Sequence, residues 1–251
     1  MRNCPGTIYV VSHKFAKIPK RNGYKGIAVG PLSLNPPKGF LCDCIGTNIS
    51  NKNSSYCELT AVYWIWKNDA ESDFVGINHY SRLFAHPSDE RMILGVEEAS
   101  QLLQDYDLIV PQKQCWDRSV ANYYYECGMG RSKDLSITES VLKKLYPDYH
   151  AAFRTVMERK SAFYCNMLIA NRSLFCEYCE WLFPILQAVE DSIDTTGYSA
   201  AEKRVIGYLS ELLLNVWVEN NAYSYIELPI IKPKRSAKER MHGKFGRLFR
   251  K

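Results

Sequence analysis

The 251-residue chain has no stretch of about 18 apolar residues, which excludes a membrane-spanning helix. Its longest apolar segment, around Trp181–Val189, is interrupted by Pro184 and Gln187. The opening residues, Met1-Arg2-Asn3-Cys4-Pro5-Gly6, lack the apolar core of an export signal. The nine cysteines follow no disulfide framework, and Cys176-Glu177-Tyr178-Cys179 is a lone C-x-x-C with no second pair at zinc spacing. The expectation is nine reduced thiols in a cytoplasm, and no zinc. There is no Walker A loop, no G-x-G-x-x-G, no G-x-S-x-G elbow and no H-E-x-x-H. Kinase-like, Rossmann oxidoreductase, serine-hydrolase and zincin readings therefore lose their usual support. Asp105-Tyr106-Asp107 has a metal-binding look, but it precedes its strand, where a ligand pair should follow one. No aromatic-interleaved basic patch lies in the body of the chain, so nucleic acid is not an expected partner.

What is present is ordinary in bulk. Hydrophobic residues make up 46% and charged residues 24% of the chain, enough for one large domain at roughly 100–200 residues per domain. The charge is unevenly placed. Residues 232–251 hold nine Lys/Arg and one acid, Glu239, so +8 of the net +5 sits there and residues 1–231 carry −3. In that segment Met241, Phe245, Leu248 and Phe249 recur at i, i+4, i+7 and i+8, one apolar stripe on an otherwise basic helix. Such a segment suits an anionic membrane surface, at roughly 1 kcal/mol per basic residue near the lipid. Gly243 and Gly246 weaken the helix, and a solvated, frayed terminus is the plain alternative. Two units follow: a domain over 1–231 and a basic amphipathic tail over 232–251.

Along the chain, apolar β-rich runs alternate with helical patterns. Strands are predicted at Thr7–Ser12, Ile27–Gly30, Asp73–Asn78, Leu108–Val110, Asn166–Ala170 and Tyr223–Leu228. Helices are predicted at Ser55–Asn68, Glu97–Gln104, Ile137–Leu145, Tyr149–Arg159, Ser173–Asp191 and Ala200–Asn220. That alternation implies an α/β fold with a mostly parallel sheet flanked by helices. Ligands on such sheets bind beyond the carboxyl ends of the strands, which singles out Ser12-His13, Asn78-His79-Tyr80 and Asn171.

Three constellations carry chemistry. Gly76-Ile77-Asn78-His79-Tyr80-Ser81-Arg82 runs an apolar strand into an imidazole, a phenol and a guanidinium, which together suit a diphosphate without a metal. On the Ser55–Asn68 helix, Glu58 shares a face with Val62 and Ile65, so a carboxylate points inward. Ser55-x-x-Glu58 also fits a capping box, which the spacing favours about two to one. Arg204, Tyr208 and Glu211 form a polar line along a Leu-rich helix; a surface ion-pair line is the commoner explanation.

With these residues in view, the chain resembles a bacterial family of capsular, exopolysaccharide and O-antigen gene clusters, long known only as a domain of unknown function. The resemblance rests on Ile8-Tyr9-Val10-Val11-Ser12-His13-Lys14, Asn48-Ile49-Ser50-x-Lys52-Asn53, Tyr56-Cys57-Glu58-Leu59-Thr60-Ala61-x-Tyr63-Trp64-x-Trp66-Lys67-Asn68 and His79-Tyr80-x-Arg82. Asn166-Met167-Leu168-Ile169, Tyr178–Pro184 and Arg204-x-x-Gly207-Tyr208-x-x-Glu211 extend it over nearly all of residues 7–228. Characterised members are glycosyltransferases, including galactofuranosyltransferases that use a UDP-sugar. Two positions depart from the family: Ser81 and Leu212 stand where it usually carries Arg.

The resemblance implies a GT-A-like glycosyltransferase moving galactofuranose or another hexose from a nucleotide-sugar donor, a UDP-sugar, to a lipid-linked glycan of a surface polysaccharide. It would work in the cytoplasm, peripherally on the inner membrane face, and require no cofactor, with a divalent metal left open. His79, Tyr80, Arg82 and Arg204 are expected around the diphosphate, with Ser12, His13 and Asn166 also on the donor. Glu58 or Glu211 is expected as the base. The alternative is an inactive nucleotide-sugar- or glycan-binding module, with Ser81 and Leu212 marking the loss.

Overall fold

The computed structural model describes residues 6–233. The basic stripe of Met241, Phe245, Leu248 and Phe249 lies outside the described residues. The chain opens with β1 (Thr7–Ser12), β2 (Tyr24–Ala28) and β3 (Leu41–Cys42), then α1 (Asn53–Tyr56) and α2 (Leu59–Asn68). Next come β4 (Phe74–His79), a hairpin of β5 (Leu83–His86) and β6 (Asp89–Ile93), α3 (Val96–Asp105), β7 (Leu108–Pro111) and β8 (Gln114–Cys115). The middle of the chain forms α4 (Val120–Glu126), α5 (Ser132–Leu145), α6 (His150–Glu158), β9 (Ser161–Ala162) and β10 (Ile169–Asn171). Two long helices, α7 (Arg172–Ser192) and α8 (Val205–Asn221), precede β11 (Tyr225–Leu228) and β12 (Ile230–Ile231).

A seven-stranded sheet in the order β11-β7-β10-β4-β1-β2-β3 forms the centre. All its strands run parallel except β10, which is antiparallel to both β4 and β7. This is the α/β architecture expected from the alternation of elements. All six residues of β1 are buried, as a strand covered on both faces requires. Burying a side chain such as Ile8 or Val11 there is worth about 1.5–3 kcal/mol. Helices α3 and α7 pack on the sheet, α7 meets both α2 and α8, and α6 rests on α8. A small sheet, β12-β5-β6, and the β8-β9 pair lie outside the main one.

Four differences from the sequence reading have physical causes. The single helix expected at Ser55–Asn68 is two, because Cys57 takes a φ of 53° and breaks the ladder. The strand expected from Asn166 begins at Ile169, because Cys165 and Asn166 also have positive φ, 85° and 43°. The strand expected at Ile27–Gly30 spans Tyr24–Ala28 and ends before Gly30, whose φ is 56°. Cys42 and Cys44 are joined as a disulfide across a turn that brings their Cα atoms to 5.3 Å, against the expectation of nine reduced thiols; the other cysteines among the described residues are free. No helix among the described residues is long and apolar enough to cross a membrane.

Candidate active site

The parallel strands β1, β2, β4 and β7 all point their carboxyl ends at one rim. A cavity of about 760 Å³ opens there. β1 delivers His13, β2 leads to Val29 and Pro31, β4 delivers His79 through Arg82, and β7 leads to Gln114. Because β10 runs the other way, the residues before it reach this rim: Tyr164 and Cys165 line the cavity. The start of α8 closes the far wall with Arg204, Tyr208 and Glu211.

Local chain geometry presents each group. β4 ends in a two-residue turn, Tyr80-Ser81, closed by reciprocal backbone hydrogen bonds between His79 and Arg82, both 3.0 Å. The turn swings Tyr80 and Arg82 into the cavity, and Tyr80 packs edge-on against His13 at 5.1 Å. The break at Cys57 puts Glu58 at the N-cap of α2, yet its side chain makes no capping bond. The capping box is therefore not formed. The Glu58 carboxylate instead accepts a 2.9 Å hydrogen bond from Nδ2 of Asn166 and lies 3.9 Å from Nε2 of His79. On α8, residues 204, 208 and 211 share one face, which is the cavity face rather than a solvated ion-pair line. The Arg204 guanidinium donates to Cys57 Sγ at 3.1 Å and to the Tyr208 hydroxyl at 3.1 Å. Gly207 permits this approach, since a Cβ there would lie 3.1 Å from the Cys57 sulfur.

Two of the expected donor residues stand behind the wall. Ser12 is buried, and its hydroxyl bonds the backbone of Lys14, tightening the turn that presents His13. Asn166 is 3% exposed; besides Glu58 it binds the Gly207 carbonyl at 3.1 Å, and its Oδ1 accepts from Ser210 at 2.9 Å. Neither side chain lines the cavity, so neither is placed to touch a donor. His13, His79, Tyr80, Arg82, Arg204, Glu58 and Glu211 are brought together. Of the departures, Ser81 lines the cavity, whereas Leu212 is 1% exposed and faces the core. Asp107 is spent on Ser224, accepting from its backbone N–H and hydroxyl at the amino end of β7, opposite the cavity.

The cavity is electrostatically mixed. Burial raises the Glu211 carboxyl, pushed up to about 8, with the Glu58 charge adding to it and Arg82 and Arg204 opposing. Burial lowers the His79 imidazole against the pull of Glu58, and Arg82 and Arg204 lower it further. Its buried Nε2 has no hydrogen-bond partner. Burial, then Lys14 and Arg204, hold His13 down to about 4. The Arg82 guanidinium has no hydrogen bond or ion pair among the described residues. Nor do three His, Cys, Asp or Glu side chains converge as metal ligands among them.

Sequence reasoning missed the aromatic side of the cavity, Tyr123 and Tyr164 backed by Trp116. It also missed the thiol of Cys57, which burial first and Glu58 second push up to about 11. Three of the four described non-glycine residues with positive φ, Cys57, Cys165 and Asn166, border this site. Backbone conformations of this kind cost of order 1–3 kcal/mol and collect at functional sites.

A solved structure described as the apo form of WbbM, a bifunctional glycosyltransferase, is similar to this chain with a TM-score of 0.83 and 29% identity. The match covers 92% of this chain and 45% of that one, so the chain spans less than half of that protein's length. No curated protein matches the chain. From β1 through α8, over residues 7–222, the chain belongs to the family described as a domain of unknown function (DUF4422).

Proposed function

We propose that the protein is a glycosyltransferase that moves a hexosyl group, galactofuranosyl or another, from a UDP-sugar to a lipid-linked glycan of a bacterial surface polysaccharide. One observation carries the reading: Arg82, Arg204 and an unpartnered His79 nitrogen share a cavity with two carboxylates at the carboxyl rim of the sheet. Cations are what a leaving diphosphate needs, and a carboxylate is what an acceptor hydroxyl needs. The likeness to a glycosyltransferase structure and the family resemblance support the same assignment.

In the reaction, the acceptor hydroxyl attacks the anomeric carbon of the donor. The new C–O bond forms as the bond from that carbon to the diphosphate oxygen breaks, and the diphosphate leaves with the bonding pair. Arg82, Arg204 and Tyr80 take up its charge. Glu211 accepts the proton; its raised pKa makes it the stronger base once ionised. Glu58 is held by Asn166 beside His79 and supports the imidazole. No metal is assigned a step.

The membrane assignment draws on two regions. The tail supplies positive charge. Beside the cavity, Phe15, Leu34 and Ile45 are exposed on the loops that follow β1, β2 and β3, among Lys14, Lys17, Lys20, Arg21 and Lys38. Apolar side chains among lysines suit an anionic lipid surface on the cytoplasmic face. A mass-spectrometric screen of the purified protein against a panel of nucleotide sugars tests the reading. Hydrolysis or transfer of at least one donor is expected. Binding of a UDP-sugar without turnover of any would favour the inactive module, with Ser81 as the lost cation.

A further inference from the structure

The reaction above leaves one end of the cavity unused. Two rings line it, Tyr123 and Tyr164 with centroids 5.7 Å apart, and Trp116 packs behind them at 4.3 Å from Tyr123 and 5.1 Å from Tyr164. The β8-β9 pair and a 2.8 Å bond from the Trp116 backbone N–H to the Lys160 carbonyl hold the backbone that carries Trp116. Ser119 caps α4, the helix that carries Tyr123. Tyr164 is 7% exposed, and its hydroxyl has no hydrogen-bond partner although it lines the cavity. A buried phenol left unpaired is destabilising, and a ligand hydroxyl would supply the missing partner.

This wall stands next to Glu211. Asn215, one turn further along α8, binds the Glu211 carbonyl and both backbone polar groups of Phe163, the residue before Tyr164. Burial and then the Glu211 charge raise the Tyr164 phenol. The ring wall therefore lies on the side where a proton-giving hydroxyl must arrive, with β4 and its Arg82 between it and the β1–β2 loops.

We propose that Tyr123 and Tyr164, backed by Trp116, form the acceptor subsite, in which a sugar ring stacks on the tyrosine side of the cavity and one of its hydroxyls hydrogen-bonds the Tyr164 phenol. The inference rests on the transferase reading and deepens it by naming where the glycan sits. Aromatic faces suit the C–H side of a sugar, and the phenol suits its O–H side.

The test uses the full chain, a panel of octyl glycosides as acceptors and the UDP-sugar found active. Tyr164→Phe is expected to raise the KM for the glycoside at least tenfold while the dissociation constant for the UDP-sugar, from calorimetry, stays within twofold. Its melting temperature should hold or rise, because the variant removes an orphan hydroxyl. An unchanged glycoside KM, or a weakened UDP-sugar affinity in its place, overturns the subsite. Glycoside-induced fluorescence change, lost in Trp116→Phe, reads the subsite without turnover. A chain inert toward every donor that keeps this signal retains the subsite and overturns the transferase reading alone.

Discussion

Asn166 and Glu58, 108 residues apart in the chain, meet at 2.9 Å, and the same amide also grips the Gly207 carbonyl of α8. One buried side chain thus sets the carboxylate beside His79 and ties it to the wall that carries Arg204 and Glu211. Asn is suited to the post because it tolerates the left-handed backbone found there.

Asn166→Gly keeps that backbone but removes the amide. Ser210 then loses an acceptor and Glu58 a donor, so stability should fall by about 1–3 kcal/mol. Turnover should drop at least tenfold with little change in donor KM, because the lost group positions Glu58 and touches no substrate. Thermal melts and steady-state kinetics check both halves; unchanged kcat would remove Asn166 from the site's support.

Arg82→Ala and Arg204→Ala should each weaken UDP-sugar binding and transfer by tenfold to a hundredfold, since a charge-assisted hydrogen bond contributes about 1.5–3 kcal/mol. Wild-type rates in both variants would defeat the diphosphate assignment. Ser81→Arg, placed in the same cavity, should tighten UDP-sugar binding, whereas Leu212→Arg should destabilise the fold by driving a charge into the core.

Activity should climb with pH and level off above about 8, because Glu211 acts only when ionised and its folded pKa is raised to about 8. Glu211→Gln should abolish both the limb and most of the turnover. Stability moves oppositely: the raised pKa means the folded state resists ionisation, so wild-type stability is lost as pH rises from the ordinary value of 4.5 to about 8. The Gln variant should match wild type below that window and out-melt it above. Identical pH–rate profiles for the two proteins would shift the base role to Glu58.

Transfer should survive excess chelator, because the proposed scheme leaves the diphosphate charge to Arg82 and Arg204 and no three His, Cys, Asp or Glu side chains cluster as ligands among the described residues. Complete loss of activity, restored by a divalent ion, would overturn the metal-free scheme.

Deleting residues 234–251 should weaken binding to vesicles containing anionic lipid yet leave transfer to a soluble glycoside intact. Lys232 is kept because its charge reaches Cys165 of the cavity. Sedimentation with vesicles measures the first outcome; loss of soluble transfer would place the tail in the active centre.

The fold was legible where burial leaves a simple trace. β1, β4 and β7 are continuous apolar runs, and the convergence of His79, Tyr80 and Arg82 followed from their place at a strand's carboxyl end. The break at Cys57 was not, since neither Gly nor Pro marks it and the apolar period runs on through α2; the false capping box came from the same smooth pattern. The β5–β6 hairpin hid in a mixed stretch, with Asp89, Glu90 and Arg91 along β6. α4 is dense in tyrosine, a residue that argues weakly for helix, and its ring wall depends on Trp116 and Tyr164 from two other segments. Contacts of that kind belong to topology, which no local window records.

The reversal of β10 has an evolutionary corollary. Its leading residues feed the cavity, while its trailing residue, Asn171, passes directly into α7. Gaining or losing one amino acid between Tyr164 and Ile169 would leave the sheet paired yet rotate every group ahead of the strand away from its partner. Length there should be frozen among relatives, even where side chains drift.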